Sequence, residues 1–353
     1  MSRAGIDALR ERARLGLPAH VADYVDATAD GVAEAEADRW DAVRFRPVAL
    51  RGETETSLAT TVLGTPVDHP ILIAPMAQQV AAHPDGEAET ARAAAASGTL
   101  VGVSTNTAVP FSRIAEQGAP WWFQAYLLAD SDLTDALAAR AAAAGASAIM
   151  LTVELTALRV DPRIEPTNWP DGPGRARLAN LTDDERSRLG DRPGRLPGLE
   201  QIARLREIAG LPVVVKGVLR GDDARRAVDA GAAGVLVSTH GNRRLAGSIA
   251  AVDALAEVAD AVAGDAEVYA DSGIRDGRHV LAALALGARA VFVGRPAWWA
   301  LADDGAAGVE GLLAGLADEL TASLRQAGVG TPAEARAARI AVAPGFASDR
   351  GLA

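Results

Sequence analysis

The sequence predicts an α/β fold, a single (β/α)8 TIM barrel with an N-terminal helical cap. The length of 353 residues suits an eight-stranded barrel with an added segment. From Pro70 onward, short Val/Ile/Leu/Ala runs alternate with longer Ala-rich helical patterns, as in parallel sheets with crossover helices. Hydrophobic residues make up 49% of the chain and aromatic residues only 4%, which predicts an interior of Ala, Val, Leu and Ile.

Eight apolar runs are predicted to be the barrel strands: Ile71–Ala74, Leu100–Val103, Trp122–Tyr126, Ala148–Val153, Val213–Val215, Gly234–Val237, Glu267–Ala270 and Ala290–Val293. Helical patterns follow the runs, among them Glu87–Ala96, Asp223–Asp229, Arg278–Leu286 and Gly308–Arg325. Repeated Gly-Ala pairs before the runs are typical of a helix end that leads into a buried strand. We therefore expect residues 1–353 to form one domain.

Two regions depart from this alternation. Residues 1–69 are predicted to form the cap, with helical segments Ile6–Leu15 and Ala19–Ala29 before extended stretches at Val43–Leu50 and Ser57–Leu63. Residues 160–198, after the fourth strand, are rich in Pro, Gly, Arg and Asp. Such a loop is either a mobile lid or a disordered insertion. A lid is favoured because loops at this end of a barrel build the site.

Composition and charge exclude several classes of function. The net charge is −11, from 35 basic and 46 acidic residues, and the absence of a long basic run disfavours nucleic acid or an anionic membrane as partner. The chain has no cysteine, so disulfides, iron–sulfur clusters, thiolate zinc sites and a cysteine nucleophile are excluded, and we assign no metal site. No apolar run approaches the roughly 18 residues of a membrane span, which predicts a cytoplasmic protein.

Polar residues follow nearly every predicted strand, at the end of a barrel where active sites lie. A single such residue is most simply a solvated strand end, but eight strand ends in succession predict a site. Lys216 directly continues the run LPVVV, and a cation there needs an anionic partner. After strands seven and eight, Gly273 and Gly294 allow close backbone approach while Arg275 and Arg295 supply paired donors, which predicts a phosphate site.

Several segments carry a family resemblance: LPAHVADYVDATADG, PILIAPMAQQVAAHPDGEAETARAAAASGT, FQAYL, LTVEL, LPVVVKGV, DARRAVDAGAAGVLVSTHGNRRL and DSGIRDGRHVLAALALGARAVFVGRP. The chain resembles the FMN-dependent 2-hydroxy acid oxidases and dehydrogenases, the group of glycolate oxidase, lactate oxidase and mandelate dehydrogenase. The resemblance spans nearly the whole chain, and the order, spacing and strand placement of the motifs agree.

The resemblance implies that FMN lies across the strand ends. It places the backbone of Ala74, Pro75, Met76 and Ala77 beside the reactive flavin edge. Side chains expected to hydrogen-bond the ring are Ser104 or Thr105, Gln124 and Thr152. Lys216 is expected at the pyrimidine end, where a cation stabilises developing negative charge. Ribityl and phosphate groups are expected to contact Asp271, Ser272, Gly273, Arg275, Gly294 and Arg295.

The resemblance also implies oxidation of a 2-hydroxy acid, or a related hydroxy or amino acid derivative, to the 2-oxo product. His240, in STHGNRR, is expected to take a proton from the substrate while two electrons pass from the α-carbon to flavin N5. Glu154 is expected to orient His240 and Arg243 to hold the substrate carboxylate. Tyr24 and Tyr126 are expected to line the pocket.

Two alternatives to this reaction stay open. An FMN-dependent non-redox isomerase and a flavin-binding protein without turnover are alternatives to the oxidation. Oxygen or another carrier is expected to accept the electrons. Relatives commonly form tetramers, which predicts a homo-oligomer.

Four departures from the family pattern concern the substrate more than the cofactor. Glu154 stands where the family usually has aspartate, and Ser238–Thr239 replaces Ser-Asn before the histidine. After the histidine, Arg244-Leu245-Ala246 replaces the usual Gln-Leu-Asp. A second substrate-facing arginine is usual about nine residues after Thr152, where this chain has Asp161. Either Arg159 or Arg163 replaces it, or the pocket favours a substrate that is less anionic, larger, or carries an amine.

Overall fold

The computed structural model describes residues 1–29, 34–52, 55–154, 178–189, 194–243 and 245–342. Eight parallel strands close into a barrel: β4 Ile71–Ile73, β5 Val101–Ser104, β6 Trp121–Ala125, β7 Ala148–Thr152, β8 Val213–Val218, β9 Gly234–Val237, β10 Glu267–Ala270 and β11 Ala290–Val293. Their order around the barrel is β10-β11-β4-β5-β6-β7-β8-β9. The predicted barrel is confirmed, and each predicted run corresponds to one strand.

Helices surround the barrel: α4 Gly86–Ala96, α5 Phe111–Ala115, α6 Ser131–Ala143, α7 Asp183–Leu189, α8 Glu200–Ala209, α9 Gly221–Asp229, α10 Ala251–Val262, α11 Gly277–Ala285, α12 Arg295–Gln326 and α13 Pro332–Ala338. The last long helix begins directly after β11, at Arg295, and is interrupted by a kink where Asp304 and Gly305 leave helical geometry. The part after the kink corresponds to the predicted segment Gly308–Arg325, and the part before it was not predicted. The first turn of α12 therefore lies at the mouth of the barrel.

Among the described residues before the barrel are three helices and three short strands. The helices are α1 Arg3–Gly16, α2 Ala19–Asp26 and α3 Ala35–Asp41, and α1 packs against α12 through Ile6, Leu9 and Ala13. Strand β1, Arg44–Phe45, pairs with β12, Ala341–Val342, and a hairpin joins β2, Thr60–Val62, to β3, Thr65–Val67. The sequence did not predict α3, which has only seven residues. Of the predicted lid, residues 160–177 and 190–193 lie outside the described residues.

The interior of the barrel contains three aromatic side chains. Trp122, Tyr269 and Phe292 are buried, with ring centroids 5.3, 5.6 and 5.9 Å apart. Val62 and Val67 of the hairpin belong to the same buried cluster. The predicted interior of Ala, Val, Leu and Ile is confirmed for most of the buried core, and the few aromatic residues are concentrated at the barrel centre, where large side chains are needed.

Candidate active site

A hydrogen-bonded row of polar side chains crosses the carboxyl ends of β5, β6 and β7. Ser104 Oγ donates to Gln124 Oε1 at 3.1 Å, and Gln124 Nε2 donates to Thr152 Oγ1 at 2.9 Å. Thr105 Oγ1 donates to the Gln124 carbonyl at 2.7 Å. All four side chains are buried, and the parallel register that pairs Ser104 with Gln124 brings them level. The row thus offers alternating donors and acceptors along one edge of the barrel mouth.

Lys216 continues this row on β8 and is only 4% exposed. Its Nζ donates to Ser238 Oγ at 2.7 Å and lies 3.4 Å from Asp271 Oδ2 and 4.0 Å from Glu154 Oε1. A buried cation is tolerated when charged and hydrogen-bonding partners surround it. The positive charge of Lys216 therefore interacts with polar side chains that follow three other strands of the barrel.

His240 lies in the loop after β9, between two side chains from other strands. Its Nδ1 is 2.8 Å from Glu154 Oε1, and its Nε2 is 3.5 Å from the Tyr126 hydroxyl. Burial of the ring, followed by the positive charges of Lys216 and Arg243, lowers the pKa of His240 well below 6.5. The ring is therefore neutral near pH 7, with Glu154 able to hold a proton on Nδ1 and leave Nε2 to accept one.

The longer arm of Glu154 is accommodated by Gly217. A Cβ atom at Gly217 would lie 1.8 Å from Glu154 Oε2, and the glycine has φ +106°, which side chains rarely adopt. The pairing of β8 with β9 shifts register between Lys216 and Val218. An isolated glycine within a strand pattern is a sequence signal of such close approach, although Gly217 was not singled out.

Arg243 and Tyr24 meet at the boundary between the barrel and the cap. The guanidinium lies over the Tyr24 ring, 4.8 Å from its centroid, and donates to the Tyr24 carbonyl at 2.9 Å. A second nitrogen of the Arg243 guanidinium donates to the Val25 carbonyl at 3.4 Å. The structure thus brings two of the predicted substrate residues, Arg243 and Tyr24, into direct contact.

Positive charge accumulates at the ends of β10 and β11. Desolvation, together with the charges of Arg275 and Arg243, lowers the pKa of Arg295 to about 9. Arg295 donates to the Gly241 carbonyl at 3.0 Å, while Arg275 pairs with Glu34 at 3.1 Å and lies 5.4 Å from the centroid of Trp299. Repulsion among arginines of this kind is relieved by a bound anion.

Close packing of the backbone accounts for the positions of two segments that are predicted to contact the cofactor. Pro75 lies so near Gly102 that a Cβ there would be 2.6 Å from the proline ring, and Ala74 N donates to the Val293 carbonyl at 3.0 Å. At Gly273, with φ +86°, a Cβ would lie 2.7 Å from the carbonyl carbon of Glu36 in α3. Gly273 therefore makes room for the cap. Met76 and Ala77 are half-buried beside Ala74, and Gly294 directly precedes α12.

Two residues of the cap were missed by the sequence analysis. Glu36, 5% exposed, accepts hydrogen bonds from Thr239 Oγ1 at 2.6 Å and Ala251 N at 3.2 Å, and burial raises its pKa to about 7. Trp40 Nε1 donates to the Ser272 carbonyl at 2.7 Å. No local motif identifies either residue, because their partners lie far away in the chain. Arg159, Asp161 and Arg163 lie outside the described residues.

Comparison with known proteins agrees with the fold and this geometry. Residues 13–342 match the model of the FMN-dependent dehydrogenase family. The chain is 41% identical to a protein of Nostoc sp. named L-lactate oxidase, over 81% of this chain and 83% of that protein. It is 38% identical to human 2-hydroxyacid oxidase 1, over 92% of each. A crystal structure of mandelate oxidase with (S)-4-hydroxymandelic acid superposes with a TM-score of 0.85 at 35% identity, covering 94% of this chain and 97% of that one.

The fold and the site define a class of protein: a (β/α)8-barrel oxidoreductase that uses a flavin. The chain belongs to the FMN-dependent dehydrogenase family. Its cofactor is FMN, and it acts on a small-molecule substrate and passes electrons to an acceptor. None of the described helices combines the length and apolar character of a transmembrane span.

The residues present fit FMN on their own chemistry. The neighbouring cations Arg275 and Arg295 suit an anionic phosphate, and the buried Lys216 suits a ring that gains negative charge on reduction. The buried row from Ser104 to Thr152 supplies hydrogen-bonding groups of the kind that a flavin ring requires.

Proposed function

We propose that the chain oxidises a 2-hydroxy acid to the 2-oxo acid, with His240 as the catalytic base. The arrangement that supports this best is the histidine itself, with Glu154 at Nδ1 and Tyr126 at Nε2. A neutral imidazole held by a carboxylate accepts a proton at one nitrogen while the carboxylate stabilises the cation that forms. Names of the relatives support the substrate class: lactate, 2-hydroxy acids and mandelate.

Each neighbouring residue has a role in this proposal. His240 Nε2 takes a proton from the substrate, and Glu154 keeps the ring oriented. Arg243 binds the substrate carboxylate, and Tyr24 and Tyr126 contact the rest of the substrate. When bound, FMN would supply the acceptor for the two electrons and for the second of the two protons that the substrate loses on oxidation. Lys216 holds positive charge where the row of Gln124 and Thr152 ends.

The cofactor contacts are proposed from the same placement. The backbone of Ala74–Ala77 and the side chains of Ser104, Thr105, Gln124 and Thr152 would hold the ring. The phosphate end would be held by the residues after β10 and β11, which are Asp271, Ser272, Gly273, Arg275, Gly294 and Arg295. Fluorescence titration of FMN measures this directly, and Arg295→Ala is expected to weaken binding at least about tenfold through loss of a charged contact.

The proposed reaction is tested by anaerobic reduction of the yellow holoenzyme. A panel of glycolate, lactate, mandelate and 4-hydroxymandelate is mixed with the protein, and bleaching of the flavin absorbance is followed. We expect at least one acid to bleach it and the matching 2-oxo acid to appear in equal amount. If neither these acids nor the wider panel described below bleaches it while dithionite does, the result contradicts the proposed oxidation and favours an isomerase or a flavin-binding protein.

The finer choice of substrate rests on Asp161, where the family has an arginine. Adding neutral amides, larger acids and amine-bearing hydroxy acids to the panel decides between two predictions: Arg159 or Arg163 replaces that arginine, or the pocket favours a substrate that is less anionic, larger, or carries an amine. Oxygen uptake in parallel identifies the acceptor, which we propose is oxygen or a carrier that replaces it. The predicted homotetramer is measured by sedimentation, and the predicted cytoplasmic location by cell fractionation.

A further inference from the structure

The loop that carries His240 has an unusual backbone. His240, Gly241 and Asn242 are three consecutive residues in the left-handed region, with φ values of 57°, 68° and 59°. For residues other than glycine this conformation costs about 1–3 kcal/mol each and persists only when the surroundings enforce it. The position of the His240 ring therefore depends on whatever holds this loop.

Three side-chain hydroxyls accept the backbone N–H groups of the loop. We call them the hydroxyl triplet: Ser238 Oγ accepts from His240 N, Ser272 Oγ accepts from Gly241 N and Thr239 Oγ1 accepts from Asn242 N, each at 3.1 Å. Every strained peptide of the loop thus has a hydroxyl partner. A hydroxyl rotates freely unless its own second hydrogen bond fixes it.

Each member of the hydroxyl triplet is fixed by a charged residue. Lys216 Nζ donates to Ser238 at 2.7 Å, and Ser272 donates to Asp271 at 2.6 Å. These two anchors come from barrel strand ends. The third anchor comes from the cap, because Thr239 Oγ1 donates to Glu36 Oε1 at 2.6 Å across 203 positions of the chain.

Glu36 is itself held in place. Its second oxygen accepts from Ala251 N at the start of α10, and its backbone lies against Gly273, where no side chain would fit. Trp40, one turn further along α3, donates to the Ser272 carbonyl. Helix α3 therefore contacts both loops that surround His240, and the Glu36 carboxyl group cannot move away without leaving Thr239 and Ala251 N without an acceptor.

We propose that Glu36 is a positioning residue for the catalytic base. Through Thr239 it holds the left-handed loop that presents His240 to the substrate, which makes the cap part of the catalytic geometry. The inference rests on the proposed role of His240. It assigns to Thr239, which departs from the family pattern, a partner in α3.

Substitutions at both ends of the Glu36–Thr239 contact test this role in the FMN-loaded enzyme. Glu36→Gln and Thr239→Val each weaken or remove the contact, while Thr239→Ser keeps the hydroxyl. Because small displacements of a catalytic group cost much rate, we expect kcat to fall at least about tenfold in the first two variants. KM and FMN content should stay within about twofold of the wild type. Thr239→Ser should retain most of kcat.

The double variant and a matched control make the outcome decisive. If the two residues act as a unit, Glu36→Gln/Thr239→Val loses no more kcat than the worse single variant. Asp38→Asn removes an exposed carboxylate from the same helix and should leave kcat unchanged. Wild-type kcat in Thr239→Val with full FMN content would overturn the proposal even if Glu36→Gln failed to fold. Failure of the oxidation itself would appear separately, as no flavin reduction in the wild type.

Discussion

The barrel and the cap contribute to the site in different ways. Barrel strand ends carry most of the groups that we propose act on cofactor or substrate, such as Lys216, Gln124 and, in the loop after β9, His240. The cap contributes Tyr24 to the proposed substrate contacts, and its helix α3 contacts the loops around His240 through Glu36 and Trp40. The barrel residues recur at the ends of apolar runs and are visible in the sequence, whereas Glu36 and Trp40 bind partners more than 200 positions away. The residues proposed to act chemically can thus be recognised from the local sequence, whereas their exact placement depends on contacts between distant parts of the chain.

On the barrel side, Glu154→Gln is expected to have the largest effect. Without the carboxylate, the cation that His240 becomes loses its partner, and kcat should fall by about 10²–10⁴-fold. Glu154→Asp keeps the charge on a shorter arm and should fall between this variant and the wild type. Rapid-mixing absorbance measures the rate of flavin reduction. Equal rates in Glu154→Gln and the wild type would remove Glu154 from the mechanism.

Gly217→Ala tests whether the barrel backbone must leave room for that carboxylate. The added Cβ would meet Glu154 Oε2, so Glu154 must move away from His240, and kcat should fall about tenfold or more. Gly145 has a similar backbone, with φ +97°, but open space around it. Gly145→Ala should therefore lower thermal stability while kcat stays normal. A similar kcat in both variants would show that the contact with Glu154 is unimportant.

The pH dependence reports on the charges around His240. Its lowered pKa means that the neutral base forms as pH rises through a value below 6.5. We expect kcat/KM to rise with pH up to that point and then level off. By the same linkage, His240 lowers the free energy of unfolding as pH falls below 6.5. The reason is that the unfolded chain binds a proton at this histidine at a higher pH than the folded chain does. An acid limb centred above 6.5 would contradict this environment.

The smallest effect is expected at the surface of the cap. Arg12 of α1 pairs with Asp303 of α12 at 2.8 Å, but its side chain is 54% exposed. Exposed ion pairs contribute about 0.2–1 kcal/mol. Arg12→Ala should therefore shift the unfolding midpoint slightly and leave kcat unchanged. A large loss of activity would show that the cap acts through its whole contact with the barrel and not through α3.

The sequence predicted much of the fold and the barrel part of the site for a physical reason. Buried parallel strands require continuous apolar runs, so eight such runs located the strands and the polar residues that follow them. Helix α3 escaped because seven residues, AEADRWD, show no apolar periodicity, and Glu36 looks like a surface carboxylate. The left-handed geometry at His240 also escaped, since histidine gives no local signal for it. The clustering of Trp122, Tyr269 and Phe292 at the barrel centre also escaped, because composition does not reveal where aromatic residues are concentrated.

Replacing His240 tests the central claim most directly. His240→Ala is purified with FMN and mixed anaerobically with the best 2-hydroxy acid from the panel, and flavin absorbance is recorded. FMN should remain bound, since the groups proposed to hold it are elsewhere, and the rate of reduction should fall by about 10³-fold or more. Reduction within tenfold of the wild-type rate would contradict the assignment of His240 as the base.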